Sequence, residues 1–419
     1  MRIKSVFKRF KGFLIAVGSG IFLIGYNIGT GSVTTMASTG SQFGMSLAWA
    51  LLVSCIFTFI MLTAYGRFTA VTQHTALQSF RKHLRGGSVL SIILIVGLVI
   101  GEIASMIGIT GIVSNLIHYW SGYLDLGPGW EGFNKLGITI ALMVLIYALF
   151  WQGKYPFFEK VMIVFVIIMG ISFISSSFMI VRGGTGVFTD MAPQIPDKPN
   201  APLIAAAIAG TTLSAVLFIM RSVVVSEKGW TVKDLKQEKR DAFTSATLMF
   251  ILSIFIMISA AGSLYPEGIH VDKAIDMIGS LEPIAGRFAM NIFIPGIVAA
   301  GISSLFPIIL IAPWLISDYM GKKRNERSLM YRLLAGIALL FALVVPMFGG
   351  RPVWLLIAAL AFQSLLMPLV TLLIWILLNR KSVMGEYKIG LWMNLGIGAT
   401  FVFSLVMAYN GVLGLLDYF

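Results

Sequence analysis

The sequence predicts an all-α integral membrane protein with eleven transmembrane helices. Two compositional facts and one pattern predict it. Of 419 residues, 58% are hydrophobic and 12% charged, about half the charged share of a soluble chain. Mean hydropathy is +0.90. Eleven apolar runs fall at about 13–39, 45–66, 87–116, 136–152, 159–181, 202–223, 242–263, 288–317, 331–347, 353–378 and 389–415. Each can cross or nearly cross a hydrocarbon core about 30 Å thick. Helices sharing one bilayer read as a single polytopic domain, 1–419.

Span 1 follows a basic start, "MRIKSVFKRFK", which predicts a cytoplasmic amino terminus. In that orientation the cytoplasmic segments hold 24 of the 31 Lys and Arg residues, and the outer loops hold six. This bias follows the positive-inside rule, and an odd span count puts the carboxyl terminus outside. The first apolar run is too long for a cleavable signal peptide and leads directly into span 2. Cys55, the only cysteine, lies in span 2 and reads as a packing residue, so no intrachain disulfide exists. Span 3 carries Glu102, the only acid deep inside an apolar run. Turn formers fill the outer loops at 122–134 and 183–202, and "SEKGWTVKDLKQEKRDAF" reads as a charged surface helix joining spans 6 and 7. Ser303 and Ser304 mark span 8, and Gln363 marks span 10.

The formal charge of +13 is thus topological and does not imply nucleic acid as a partner. The expected partners are the lipid bilayer, a small ionic or polar substrate and, for coupled transport, H+ or Na+. No nucleophile elbow, P-loop or zinc-binding His-Glu-x-x-His motif occurs, so the chain does not read as an enzyme and no cofactor is expected. His74, His83, His118 and His270 fall in loops or at span ends, which gives no histidine metal cluster.

Two spans carry polar interruptions. Span 1 reads "FLIGYNIGTGSVTTMASTG", with Gly29-Thr30-Gly31-Ser32 at mid-depth, and span 6 reads "LIAAAIAGTTLSAVLFIMRS", with Gly210-Thr211-Thr212. They lie five spans apart, so the halves containing them have opposite orientations. Paired interruptions in inverted halves point to a transporter's central site. Unwound backbone cannot face lipid, because its unpaired N–H and C=O groups would each cost several kcal/mol.

These residues, with the segments around them, resemble the Nramp family of divalent metal transporters. "TGSQFGMSLAWALL", "GEIASMIGITGIVSNLI", "GIVAAGISSLFPIILIAPWLISDYMG" and "GLWMN" resemble its first, third, eighth and last helical segments. The resemblance implies a LeuT-like fold: spans 1–5 and 6–10 as inverted repeats, about 13–183 and 200–380, plus one helix at about 385–417. The chain is a divergent relative in this comparison. The family's Asp-Pro-Gly-Asn motif falls on Gly29, Thr30, Gly31 and Ser32, and its Met-Pro-His segment falls on Ser214, Ala215 and Val216. A second histidine becomes Arg221, and acids associated with proton transfer become Ile109 and Ile112, leaving Glu102.

The expected substrate-binding residues are Asn27, Gly29, Thr30, Gly31, Ser32, Gly210, Thr211, Thr212 and Ser214. Glu102, Arg221 and Gln363 are expected in coupling or gating. Helix N-termini, hydroxyl donors and Arg221 together suggest a small bicarbonate-like anion or an anionic solute as cargo. The alternatives are a largely hydrated Mg²⁺ or Mn²⁺ ion, or a membrane receptor that transports nothing. The short loops suggest a bacterial inner membrane.

Overall fold

The computed structural model describes residues 29–124, 129–153, 155–183, 186–188 and 191–418. Asn27 lies outside them. Span 1 enters the described chain as α1, Thr30–Phe43, and span 2 is α2, Ala48–Thr72. The surface helix α3, Ala76–His83, leads to α4, Gly87–Gly122, the third span. Spans 4 and 5 are α5, Lys135–Gln152, and α6, Tyr155–Arg182. Span 6 is two helices, α7, Ala201–Thr212, and α8, Ala215–Glu227. Spans 7 and 8 are α9, Leu235–Ser263, and α10, Ala289–Tyr319. Span 9 starts with α11, Leu329–Leu340, and continues in short turns to Phe348. Span 10 is α12, Pro352–Ser364, and α13, Met367–Asn379; α14, Leu391–Tyr418, is the last span.

Among the described residues, ten spans are long and apolar enough to cross a membrane. With α1, this is roughly the expected eleven. The joint between spans 6 and 7 differs from its expectation. Thr231 and Asp234 form a capping box, after which α9 runs unbroken from Leu235 into the membrane. The charged surface helix is therefore the first turns of span 7. Satisfying the free N–H groups at Thr231 lets the helix start seven residues before the apolar run begins.

Span 6 is the buried axis of the bundle, since its apolar window is wholly covered by protein. α7 packs against α12 and α14, α1 packs against α9, and α4 packs against α10 and α12. Lipid tails are as apolar as leucine, so helices associate here through close packing more than through a hydrophobic drive. Glycine permits that approach. A Cβ on Gly108 of α4 would meet the Leu356 backbone of α12 at 2.8 Å. A Cβ on Gly210 of α7 would run into the Leu360 carbonyl. Gly210→Ala is therefore expected to destabilise the α7–α12 contact by about 1–3 kcal/mol, the usual range for overpacking. Thermal unfolding in detergent checks this, and an unchanged melting temperature would contradict the close approach.

Candidate functional site

The breaks fall close to, but not on, the sequences that suggested them. Gly29 is extended (φ −98°, ψ −167°) and caps α1, so Thr30, Gly31 and Ser32 form a first helical turn. In span 6, α7 continues through Gly210, Thr211 and Thr212, and the chain breaks at Leu213 and Ser214 (ψ 57° and 129°). The glycine is explained by the Leu360 carbonyl against it rather than by a break. Span 10 carries a further interruption, at Leu365 and Leu366, with Pro near the start of α13.

Where these ends meet there is a cavity of about 50 Å³, room for a few atoms or waters. Gly29, Gly31 and Ser32 line it from the start of α1, and Gly210, Thr211 and Ser214 from the break in span 6. Glu102, Ser105 and Ile109 of α4 face it, a stripe at i, i+3 and i+7 on one side of the helix. Ser304 and Ile308 of α10 and Leu356, Leu360 and Gln363 of α12 complete the described wall. Thr30 and Thr212 are not in that wall. Thr30 donates to the Ile297 carbonyl at 3.4 Å, while the Thr212 carbonyl accepts from Thr58 at 3.0 Å. Sequence reasoning did not single out Ser105 and noted Ser304 without placing it among the expected substrate-binding residues. The available signal was Ser105 one turn beyond Glu102 on the same face.

The direction of the hydrogen bonds sets the cavity's polarity. Ser105 gives its hydroxyl hydrogen to the Gly101 carbonyl at 2.9 Å, and Ser304 gives its own to the Ala300 carbonyl at 2.8 Å. The Gln363 amide donates to the Ser105 oxygen at 3.2 Å, which leaves its carbonyl oxygen available. The hydroxyl hydrogens of Ser105 and Ser304 are thus occupied, and these two residues offer the cavity their oxygens as acceptors. Glu102, 4% exposed, adds a carboxyl group.

Arg221 is elsewhere. It is fully buried, and its guanidinium pairs with the Glu238 carboxylate at 3.0 Å and with Asp241. It also donates to the Glu238 carbonyl at 3.1 Å. These bonds tie α8 to the first turns of α9, and a Cβ on Gly66 of α2 would run into the Glu238 side chain. The positive charge expected beside the substrate is thus neutralised outside the cavity wall. Nearby, at the far end of α8, Glu227 pairs with Arg324 at 3.1 Å. Asp318, at the end of α10, accepts from Thr75 at 2.7 Å and from Gln78 at 3.1 Å.

Just past α8, the Lys228 ammonium sits 3.9 Å from the centre of the Trp230 ring. Burial lowers its pKa to about 8, against an upward pull from Asp241 and with Arg221 adding to the lowering. An unfolded lysine titrates near 10.4, so the folded state binds fewer protons between about pH 8 and 10.5. The cost of burying the ammonium is borne in full below pH 8 and is relieved as pH rises through that window. Lys228→Met is therefore expected to flatten the pH dependence of the melting temperature between pH 8 and 10.5. Parallel curves for variant and parent would contradict the assignment.

A helical bundle with span 6 broken beside a buried polar cavity is the architecture of a LeuT-fold membrane transporter. The fold matches that of MhsT in complex with L-phenylalanine at a TM-score of 0.62, with 16% identity over 96% of this chain and 98% of that one. It matches an Eremococcus coleocola manganese transporter, in complex with an aromatic bis-isothiourea compound, at 0.69, with 13% identity over 97% and 87% of the two chains. The chain belongs to the natural resistance-associated macrophage protein-like family, Nramp, which it matches over residues 20–414. Its relatives include the divalent metal cation transporters MntH of Verminephrobacter eiseniae and Listeria monocytogenes. The first is 23% identical over 396 residues, covering 91% of this chain and 85% of that protein. The second is 23% identical over 417 residues, covering 96% and 90%.

These relatives correct the expectation of a bicarbonate-like anion. They are named for divalent cations, and the structure removes one support of the expectation, the free charge of Arg221. The Ser105 and Ser304 donors are spent on backbone carbonyls, and Arg221 is held by two carboxylates. The carboxyl group among the described wall residues is Glu102, which would repel an anion when ionised.

Proposed function

We propose that the chain carries a divalent metal cation across the membrane by alternating access, with the cavity between α1, α4, α7, α10 and α12 as its midpoint site. The observation that carries this is the direction of the hydrogen bonds: Ser105, Ser304 and Gln363 present oxygen acceptors beside Glu102. The described wall contains no sulfur or imidazole ligand, and no group of three or more His, Cys, Asp or Glu residues that could hold a metal occurs among the described residues. Oxygen donors suit hard ions such as Mg²⁺ and Mn²⁺. One carboxylate balances only half of a double charge, so the ion keeps part of its water, as Mg²⁺ readily does. Gly29, Gly31, Ser32, Gly210, Thr211 and Ser214 act at this site as oxygen ligands or as close-packed backbone around the ion.

In this reading spans 1 and 6 rock against the scaffold of spans 3, 4, 8 and 9, within inverted halves at about 13–183 and 200–380. The 24-to-six distribution of basic residues supports a cytoplasmic amino terminus, and the bacterial relatives support a plasma membrane. The test is flux into proteoliposomes of purified protein, with Mg²⁺ and Mn²⁺ followed by internal dyes and Cd²⁺ as competitor. Saturable Mg²⁺ or Mn²⁺ flux, with Cd²⁺ competing no better than Mn²⁺, is the expected result. Absence of any saturable divalent flux would overturn the reading.

A further inference from the structure

We infer that the protein holds an anionic phospholipid of the surrounding bilayer in a furrow between α4 and α13, with the headgroup phosphate taken by Lys82, Arg85 and Arg380. Charge at this end of the bundle is one-sided. Residues 65–101 and 366–390 contain seven Lys and Arg residues against a single acid, Glu386. Two of the seven are committed within the fold. Arg81 donates to the Tyr319 carbonyl at 3.0 Å and lies over its ring, and Arg67 donates to the Tyr387 carbonyl at 2.9 Å. The ion pairs among the described residues belong to Arg221 and Arg324. No described carboxylate therefore neutralises Lys82, Arg85 or Arg380.

The surface helix α3 gathers these charges. Its Ala76, Leu77, Ser79 and Phe80 are buried, while Lys82 and, just past its end, Arg85 are exposed. Such a helix lies in the membrane interface with its basic side toward the headgroups. Arg380 follows α13 and donates to the His83 carbonyl, which brings the ends of α3 and α13 together. One bond leaves Arg380 with further N–H groups to offer. His83 reports the crowding: burial lowers its pKa, and Lys82, His74 and Arg380 add to the lowering.

The apolar part of the furrow rises from this cluster. A Cβ on Gly97 of α4 would meet the Leu366 side chain, at the entry to α13, at 2.8 Å, so the two helices touch there. At their other ends both pack against α3. Val89, Ile93, Val96 and Ile100 form an exposed stripe along α4, and Ile93 is one turn from Gly97. On α13, Leu372 and Ile376 are exposed at a spacing of four, and Arg380 is the next residue in that row. Each row thus leads down to a cation. An acyl chain fits between the rows, and a phosphate at their foot meets arginine forks that match its oxygens. Basic pockets between spans on the cytoplasmic side suit anionic headgroups, and this end is cytoplasmic in the proposed orientation. A free phosphate would use the cations alone and leave both apolar rows unused. The inference is independent of which ion is carried.

The experiment melts the purified, delipidated protein in detergent while phosphatidylglycerol, phosphatidylcholine or inorganic phosphate is added. Phosphatidylglycerol is expected to raise the melting temperature by several degrees, and the other two to have little effect. Lys82→Gln with Arg85→Gln is expected to need at least fivefold more phosphatidylglycerol for the same shift. Lys322→Gln with Lys323→Gln, which removes two exposed cations between α10 and α11, should leave the titration unchanged. Equal weakening by both pairs would reduce the effect to net surface charge and overturn the inference. A shift of the same size with inorganic phosphate would overturn the lipid as occupant. A second variant tests the furrow without touching a charge: Ile376→Trp fills it and is expected to weaken phosphatidylglycerol at least fivefold. A titration indifferent to Ile376→Trp would show that no acyl chain lies there.

Discussion

Replacing Glu102 with glutamine is expected to lower saturable Mn²⁺ or Mg²⁺ uptake at least tenfold, with little change in melting temperature. Glutamine keeps the shape and most of the hydrogen-bonding capacity of the side chain and removes only its charge. At an effective dielectric of 20, unit charges 4 Å apart interact by about 4 kcal/mol, and a dication doubles that. Desolvation takes back much of it, but a tenfold effect needs only about 1.4 kcal/mol. Glu102→Asp keeps the charge on a shorter arm and should retain more activity than the amide. Uptake that is indifferent to Glu102→Gln would leave the whole double charge to neutral oxygens and would exclude Glu102 as a ligand.

The largest stability effect is expected at Arg221. Arg221→Met leaves Glu238 and Asp241 buried with no guanidinium between them. Breaking a buried pair from one side typically costs 3–5 kcal/mol, because an uncompensated charge remains. The variant should melt at a markedly lower temperature in detergent or elute as aggregate. Adding Glu238→Gln and Asp241→Asn to Arg221→Met should recover most of the loss, since an uncharged cluster carries no such penalty. A single variant as stable as its parent would show that these ion pairs contribute nothing to the fold.

The spans were legible because apolar runs of bilayer length have few other readings. The breaks were legible only to within a few residues. Gly-Thr-Thr at 210–212 suggests interruption by composition, yet Gly210 serves a carbonyl 150 residues away, at Leu360. Turn formers and close-packing residues are largely the same residue types, so sequence alone does not separate them. Glu102 and Gln363 stood out as polar residues in apolar runs, and both line the cavity. Ser105 did not stand out, because serine bonds its own helix in many settings and only the opposing helix reveals that its oxygen faces a void. The cargo's sign was misread for a related reason. A hydroxyl can donate or accept, and only the placement of Gly101 and Ala300 shows which role is already taken. The ion pairs of Arg221 were not read from its span because its partners lie 17 and 20 residues downstream. The acids in "SEKGWTVKDLKQEKRDAF" were the available signal.

The break at Leu213 and Ser214 gives α8 a mechanical role. Thirteen residues make a rod about 20 Å long, and a tilt of about 10° about its cavity end moves the far end by about 3 Å. Glu227 sits at that far end, 3.1 Å from Arg324. A displacement of that size parts the pair, while atoms beside the fulcrum move only a fraction as far. In the proposed transport cycle, small adjustments around the bound cation would be geared up into a large opening at the protein surface. Arg221 clamps the lever to α9, so the start of span 7 shares the stroke.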